Sequence, residues 1–264
     1  LKREKALFIS KKENLKYLTD DFQRVYFGDE FCDRLIPSEK ELKTVMAAVQ
    51  EKGLAFTFVT PYVTEAGLEK LILLFSILPE KTEVVVNDWG AFRVIHERFL
   101  GLIPVLGRLM TKLKRGPRIA SFLDSLPEAA VDHLKRTNLG VPIYSKFLMD
   151  NHIFRAEIDN PLQGLELSDV PKEIKLSLYI PFAYVTTTRF CLTANCDVPE
   201  KKGLIGVFPC AKECQKYTFY LDNPVMNTML IRRGNTIFYQ NTKIPEGIDD
   251  FNIDRVVVQP EVPH

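Results

Sequence analysis

Short runs with apolar residues at every second position alternate along the chain with segments in which they recur every third or fourth. Arg24–Gly28 (RVYFG) reads as a strand, and Ser38–Lys52 as a helix with Ser38 as N-cap, Glu41 three residues on and Gly53 as the stop. Leu54–Thr60 (LAFTFVT) is expected to be a second strand and Thr64–Leu78 a second helix capped by Thr64. Glu83–Asp88 follows as a third strand, leading into a helix over Gly90–Phe99. Ile103–Leu106 is a candidate fourth strand, Lys112–Arg118 a basic loop, and Ala129–Arg136 the next helix, with strands at Phe154–Ile158 and Lys175–Ile180. Strands alternating with helices of this length argue for a parallel sheet covered by helices. The length, 264 residues, favours a TIM-type barrel, complete or lacking a strand, over an open doubly wound sheet.

From about Lys201 the pattern changes to a segment containing Gly, Pro and Cys, then strands over Thr228–Arg232 and Thr236–Gln240 joined through Gly234 and Asn235. The expectation is one barrel-like domain over residues 1–264. Residues 201–264 are read as a C-terminal β extension packed on it and carrying cysteines, because a segment of about sixty residues would hardly fold alone. No GxGxxG or Walker A sequence occurs, so a nucleotide site has no support.

With 46% hydrophobic and 26% charged residues the chain can bury a full core. Thirty-five basic against thirty-four acidic residues leave a net charge of +1, so no overall field favours stable nucleic-acid binding or an anionic membrane. The longest apolar stretches, Leu71–Leu78 and Phe99–Met110, are too short to span a bilayer, and the charged first residues lack a signal-peptide core. These features predict a soluble, cytoplasmic protein with no transmembrane segment.

Five cysteines are an odd number, and four of them fall within 24 residues, which fits a secreted disulfide framework poorly. The local signal is RFCLTANC at Arg189–Cys196, then FPCAKECQ at Phe208–Gln215. Cys210 and Cys214 have three residues between them, close enough for both thiolates to reach one metal centre. Thiolates select soft ions, so zinc and iron–sulfur are the candidates. The first pair is spaced more widely than in most zinc ribbons, and buried free cysteines are the plain alternative.

The segments TTRFCLT and PCAKECQ resemble the cysteine-bearing stretch of the collagenase-like peptidase family, U32, in which a Cys-Leu-Ser/Thr step precedes a Cys-x-x-x-Cys step. RVYFGDEFCDR at Arg24–Arg34 is similar to that family's first barrel strand and loop, and VVVNDWG at Val84–Gly90 to its third strand. The family's usual cysteine just before the Cys-Leu step is missing from IPFAYVTTT, and Cys32 appears instead. That pattern, with GRLMTKLKRGPR at Gly107–Arg118, resembles the family's anaerobic ubiquinone-biosynthesis branch. The resemblance implies a 4Fe-4S cluster held by Cys32, Cys191, Cys210 and Cys214, with Cys196 as an alternative to Cys191. It further implies an oxygen-independent hydroxylase subunit acting on a lipid ubiquinone precursor, paired as a heterodimer with a paralogous subunit, with prephenate as oxygen donor. The alternatives are a relative that hydroxylates RNA or cleaves peptides, and a non-catalytic metal-binding scaffold.

Four further residues are candidates for substrate binding. Asp88 follows an apolar strand and can bind substrate or cap the next helix. Arg118, near Lys112, Lys114 and Arg115, can hold a carboxylate or belong to a solvated basic loop. Tyr26 points into the barrel or out of it, and Arg189, beside a cysteine, can neutralise cluster charge. His96, His133 and His152 lie on separate elements without metal-like spacing, and no Ser/His/Asp arrangement can be assigned.

Overall fold

Eight parallel strands close into a barrel in the computed structural model, which describes residues 3–198, 200, 210–226, 228–245 and 247–264. They are β1 (Glu4–Ile9), β2 (Arg24–Gly28), β3 (Ala55–Val59), β4 (Glu83–Val86), β5 (Ile103–Leu106), β6 (Arg155–Asp159), β7 (Lys175–Ile180) and β12 (Ile253–Val258). Each pairs with the next in chain order, and β12 closes the ring between β7 and β1, with Glu4 opposite Arg255 and Leu7 opposite Val258. Between β7 and β12 the chain builds a separate antiparallel sheet from β8 (Phe182–Thr187), β9 (Phe219–Leu221), β10 (Leu230–Arg233) and β11 (Thr236–Gln240), in the order β8-β11-β10-β9.

The barrel is therefore complete, and two of the expected boundaries move. RVYFG is the second strand, because ALFI within β1 already forms the first. The segment read as a C-terminal extension is an insertion, because β12 returns to the barrel with Ile253, Arg255 and Val257 buried at alternate positions. Residues 201–209, the start of that expected extension, lie outside the described residues.

The helices α1 (Glu39–Glu51), α2 (Glu65–Phe75), α3 (Trp89–Arg98), α4 (Glu128–Lys135) and α5 (Pro142–Asp150) cover the barrel. Their starts follow from side chains that satisfy otherwise orphaned N–H groups. The Ser38 hydroxyl accepts from the Glu41 N–H while Glu41 accepts from the Ser38 N–H, Thr64 accepts from Gly67, and Asp88 accepts from Gly90 and Ala91. Leu42, Val45, Leu71, Phe75 and Ile95 on these helices pack against Val25, Phe27, Phe58 and Val84 from the strands' outer faces in one apolar layer.

The barrel interior holds a second, smaller cluster: Ala6, Phe8, Tyr26, Val59, Val85, Val105, Tyr179 and Val257. It is a packed core and not a pore, as expected for an eight-stranded barrel. Tyr26 points inward. Its hydroxyl accepts from Arg255 Nη1 at 2.6 Å and donates to Glu157 Oε1 at 3.1 Å. Beneath it, at the strands' N-terminal ends, Arg255 also donates to Glu83 and Glu4, and Arg24 donates to Glu4 at 2.8 Å. Burial pushes the Glu157 carboxyl up to about 7, with Arg255 and Arg155 opposing the rise.

Candidate metal centre

Cys32, Cys191, Cys210 and Cys214 line one cavity of about 400 Å³. It opens at the C-terminal ends of the barrel strands, the face on which this architecture places its sites. Cys32 follows β2, Tyr62 and Thr64 follow β3, and the other three cysteines come from the insertion that follows β7. Cys196 does not line the cavity, although it shares a turn with Cys191.

Three loops meet there because buried side chains tie them together. Gly28 ends β2 at φ +141°, where a Cβ would fall 2.0 Å from the Val59 carbonyl oxygen, so only glycine allows β2 and β3 to approach this closely. Asp29 then accepts the backbone N–H groups of Phe31 and Cys32, both at 2.8 Å, and sets the Cys32 loop. Glu213, buried, accepts from the Asn195 N–H at 3.0 Å and from the Ala211 N–H at 3.1 Å, linking the Cys191 turn to the Cys210–Cys214 turn. Asn235 donates to the carbonyls of Phe31 and Thr188, both at 2.7 Å, and joins the Cys32 loop to the insertion. Arg233 donates to the Cys214 carbonyl at 3.0 Å. The ties between loops could not be read from spacing, since Asn235 and Phe31 are 204 residues apart.

The cavity favours soft donors. Burial pushes the Cys214 thiol up to about 11, with Asp29, Cys191 and Cys210 adding to the effect and Gln215 opposing it. Cys32 is pushed higher still, by burial and then by Asp29, and Cys191 is raised by burial. Such thiols become thiolates readily only when a cation joins them. Lys70, Lys212, Arg34 and Arg189 stand on the same cavity wall and offset negative charge held there. Among the described residues no group of three or more His, Cys, Asp or Glu side chains is disposed around a single ion. A cluster of several irons takes one thiolate per iron and so accepts donors set wider apart than one ion would.

Phe31, which lines the cavity, lies over a buried charge network. Arg108 donates from Nε to Glu30 Oε1 at 3.0 Å, from Nη2 to Glu30 Oε2, and from Nη1 to Asp159 at 2.8 Å and the Phe182 carbonyl at 3.0 Å. Arg115 donates to the other Asp159 oxygen at 2.7 Å. Phe31, over the Arg108 guanidinium, also belongs to the apolar cluster that seats the inserted sheet through Phe182, Tyr184, Ile231 and Phe238.

The remaining candidates are dispersed. Asp88 caps α3 and also accepts the Val63 N–H at 3.4 Å, Tyr26 is sealed inside the barrel, and Arg118 is exposed over the Phe122 ring. None of the three lines the cysteine cavity. Arg189 does line it, held by its donation to the Val63 carbonyl at 2.9 Å and by the Tyr62 ring. Tyr62 and Arg189 form the wall shared with an adjacent open groove that includes Lys112 and Lys114. Sequence reasoning passed over His264, which lines the cavity and meets Asp29 through Nδ1 at 3.0 Å.

These features define a closed parallel α/β barrel with a cysteine-lined cavity on its C-terminal face. The same fold is found in a solved U32 peptidase, Mk0906, with a TM-score of 0.51 and 11% identity over 99% of this chain and 94% of that one. A glycoside hydrolase family 18 N-acetylglucosaminidase from Paenibacillus barengoltzii aligns at a TM-score of 0.40 and 8% identity, over 97% of this chain and 94% of that one. No family model matches the chain, and no curated protein matches it. Among the described residues no helix is long and apolar enough to cross a membrane.

Proposed function

We propose that this chain is a 4Fe-4S protein of the U32 type, and that it serves as a subunit of an oxygen-independent hydroxylase in ubiquinone biosynthesis, in the manner of UbiV. The observation that carries the reading is the meeting of four cysteines from three loops, Cys32 among them, on one cavity. Cys32 lies 159 residues before Cys191, and a chance lone thiol would have no reason to share that wall. The U32-like barrel supports the same reading at the level of fold.

In this reading Cys32, Cys191, Cys210 and Cys214 hold the cluster, and Cys196 lies outside its ligand set. The cluster supplies one-electron chemistry when bound. Asp29, Glu213, Asn235 and Arg233 fix the loops that carry the thiolates, and such supporting shells determine how firmly a metal group is held. Arg189 and Tyr62 stand between the cysteine cavity and the groove bearing Lys112 and Lys114, so a carboxylate-bearing donor such as prephenate would bind within reach of the cluster. The lipid precursor and a paralogous UbiU-like subunit complete the proposed assembly.

The test is an anaerobic assay with the co-expressed pair, a ubiquinone precursor and prephenate. Hydroxylated product that requires both subunits is expected. Product formed without this chain, or none with an intact cluster and partner, contradicts the assignment.

A further inference from the structure

We propose that His264 is a fifth protein contact of the group held in the cysteine cavity, touching it through Nε2 while Asp29 fixes the ring; this rests on the cluster reading above. The ring is 1% exposed and yet forms part of the cavity wall. Asp29 Oδ1 already accepts two backbone N–H groups, from Phe31 and Cys32, which marks this carboxyl as an acceptor. Its Oδ2 therefore takes the proton of His264 Nδ1 at 3.0 Å. That leaves Nε2 as the ring's other polar corner, and it is buried with no hydrogen-bond partner among the described residues.

The direction of Nε2 follows from Gly234. A Cβ built there would lie 3.2 Å from Nε2 and 3.3 Å from Cys214 Cβ, so the nitrogen edge and the cysteine face the same patch of wall. Phe31 and Phe238 hold the ring edge-on, with centroids 5.7 and 6.2 Å away, and keep it from turning elsewhere. A polar nitrogen is rarely buried without a partner, and histidines that meet metal groups nearly always donate their other ring N–H to a carboxylate. His264 has that carboxylate contact, and because the four thiolates already take the four irons, Nε2 meets the cluster at its edge and not as an iron ligand. Asp29 thereby couples the Cys32 loop to the histidine.

The chain has four histidines, and His96, His133 and His152 do not line the cavity. Protein labelled with nitrogen-15 histidine, prepared without oxygen and reduced, therefore reports on His264 by pulsed electron paramagnetic resonance. The cluster's reduction midpoint is read by optical titration of the same samples. We expect a histidine nitrogen coupling in the wild type that is lost in His264→Phe, together with a shifted midpoint. Equal midpoints and no nitrogen coupling, in samples that contain iron and sulfide, would overturn this proposal and leave the cluster reading standing. Wild-type protein without iron or sulfide would overturn the cluster reading, and this contact with it.

Discussion

The two ends of the barrel both concentrate charged and polar side chains, but they leave them in different states. At the N-terminal end Glu4, Arg24, Glu83, Arg155, Arg255 and Tyr26 satisfy one another, with Arg255 alone donating to Glu83, Glu4 and Tyr26, and Glu157 beside Tyr26 keeps one buried oxygen without a partner among the described residues. At the C-terminal mouth four thiols line a cavity, His264 stands in its wall with Nε2 buried and unpartnered among the described residues, and the carboxylate, amide and guanidinium groups around them hold loops together. A polar cluster that closes on itself stabilises or specifies a fold. One that brings soft donors from separate loops to a common cavity suits the holding of a metal group. The network of Arg108, Glu30 and Asp159 is of the first kind, although Phe31, over the Arg108 guanidinium, lines the cavity of the second.

The sharpest way to separate the two kinds is to break the Arg108 network. Arg108→Met keeps much of the side chain's volume but leaves Glu30 buried without its cation and Asp159 with Arg115 alone. Removing one partner of such a network is expected to cost roughly 3–5 kcal/mol. Chemical denaturation should show that loss in protein with and without a bound cluster. A loss confined to the cluster-bound form would place Arg108 with the site and not with the scaffold.

The closed end makes a different prediction, in pH. Glu157 is held at about 7 in the fold against 4.5 for an ordinary glutamate, because burial disfavours its charge. A carboxyl raised on folding contributes stability that is present in full below about pH 4.5 and is lost as the pH rises to about 7. Glu157→Gln keeps the acceptor for Tyr26 and removes the titration. The variant should be more stable than the wild type at pH 8, by up to about 3 kcal/mol, with the difference shrinking toward pH 5. Thermal melts across that range would show it, and parallel curves for the two proteins would contradict the burial argument.

The smallest effect is expected at Asp88. As a helix cap its replacement by Ala should lower stability by about 1 kcal/mol and leave cluster content and hydroxylation unchanged. A selective loss of activity at unchanged stability would return Asp88 to the substrate site.

Much of the scaffold was legible because local rules suffice for it. The strands from RVYFG to KLSLYI show their alternation, and Ser38, Thr64 and Asp88 mark helix starts by hydrogen bonds made within a few residues. The ring's closure was not legible. β1 is a continuous apolar run with little alternation, and β12, which buries Ile253, Arg255 and Val257 at alternate positions, lies beyond an insertion that hides its membership of the barrel. α5 has no side-chain cap, and its one local start signal, Pro142 at the first helical position, was not read as a helix start. At the site, the Cys210 and Cys214 pair was visible from spacing and Cys32 from family resemblance. Glu213, Asn235, Asp29 and His264 act across 18 to 235 residues of chain, where no periodicity reaches.

In the proposed cluster at the mouth cavity Cys32 is a ligand and Cys196 is not. That assignment is tested by iron, sulfide and visible absorption of wild type, Cys32→Ala and Cys196→Ala, purified side by side without oxygen. The account predicts brown wild-type protein with about four iron atoms and matching sulfide per chain, the inventory of one such cluster. Cys196→Ala should match it, and Cys32→Ala should lose iron rapidly in air while still folding. Colourless wild-type protein carrying stoichiometric zinc, or full cluster content in Cys32→Ala with loss in Cys196→Ala, would contradict it.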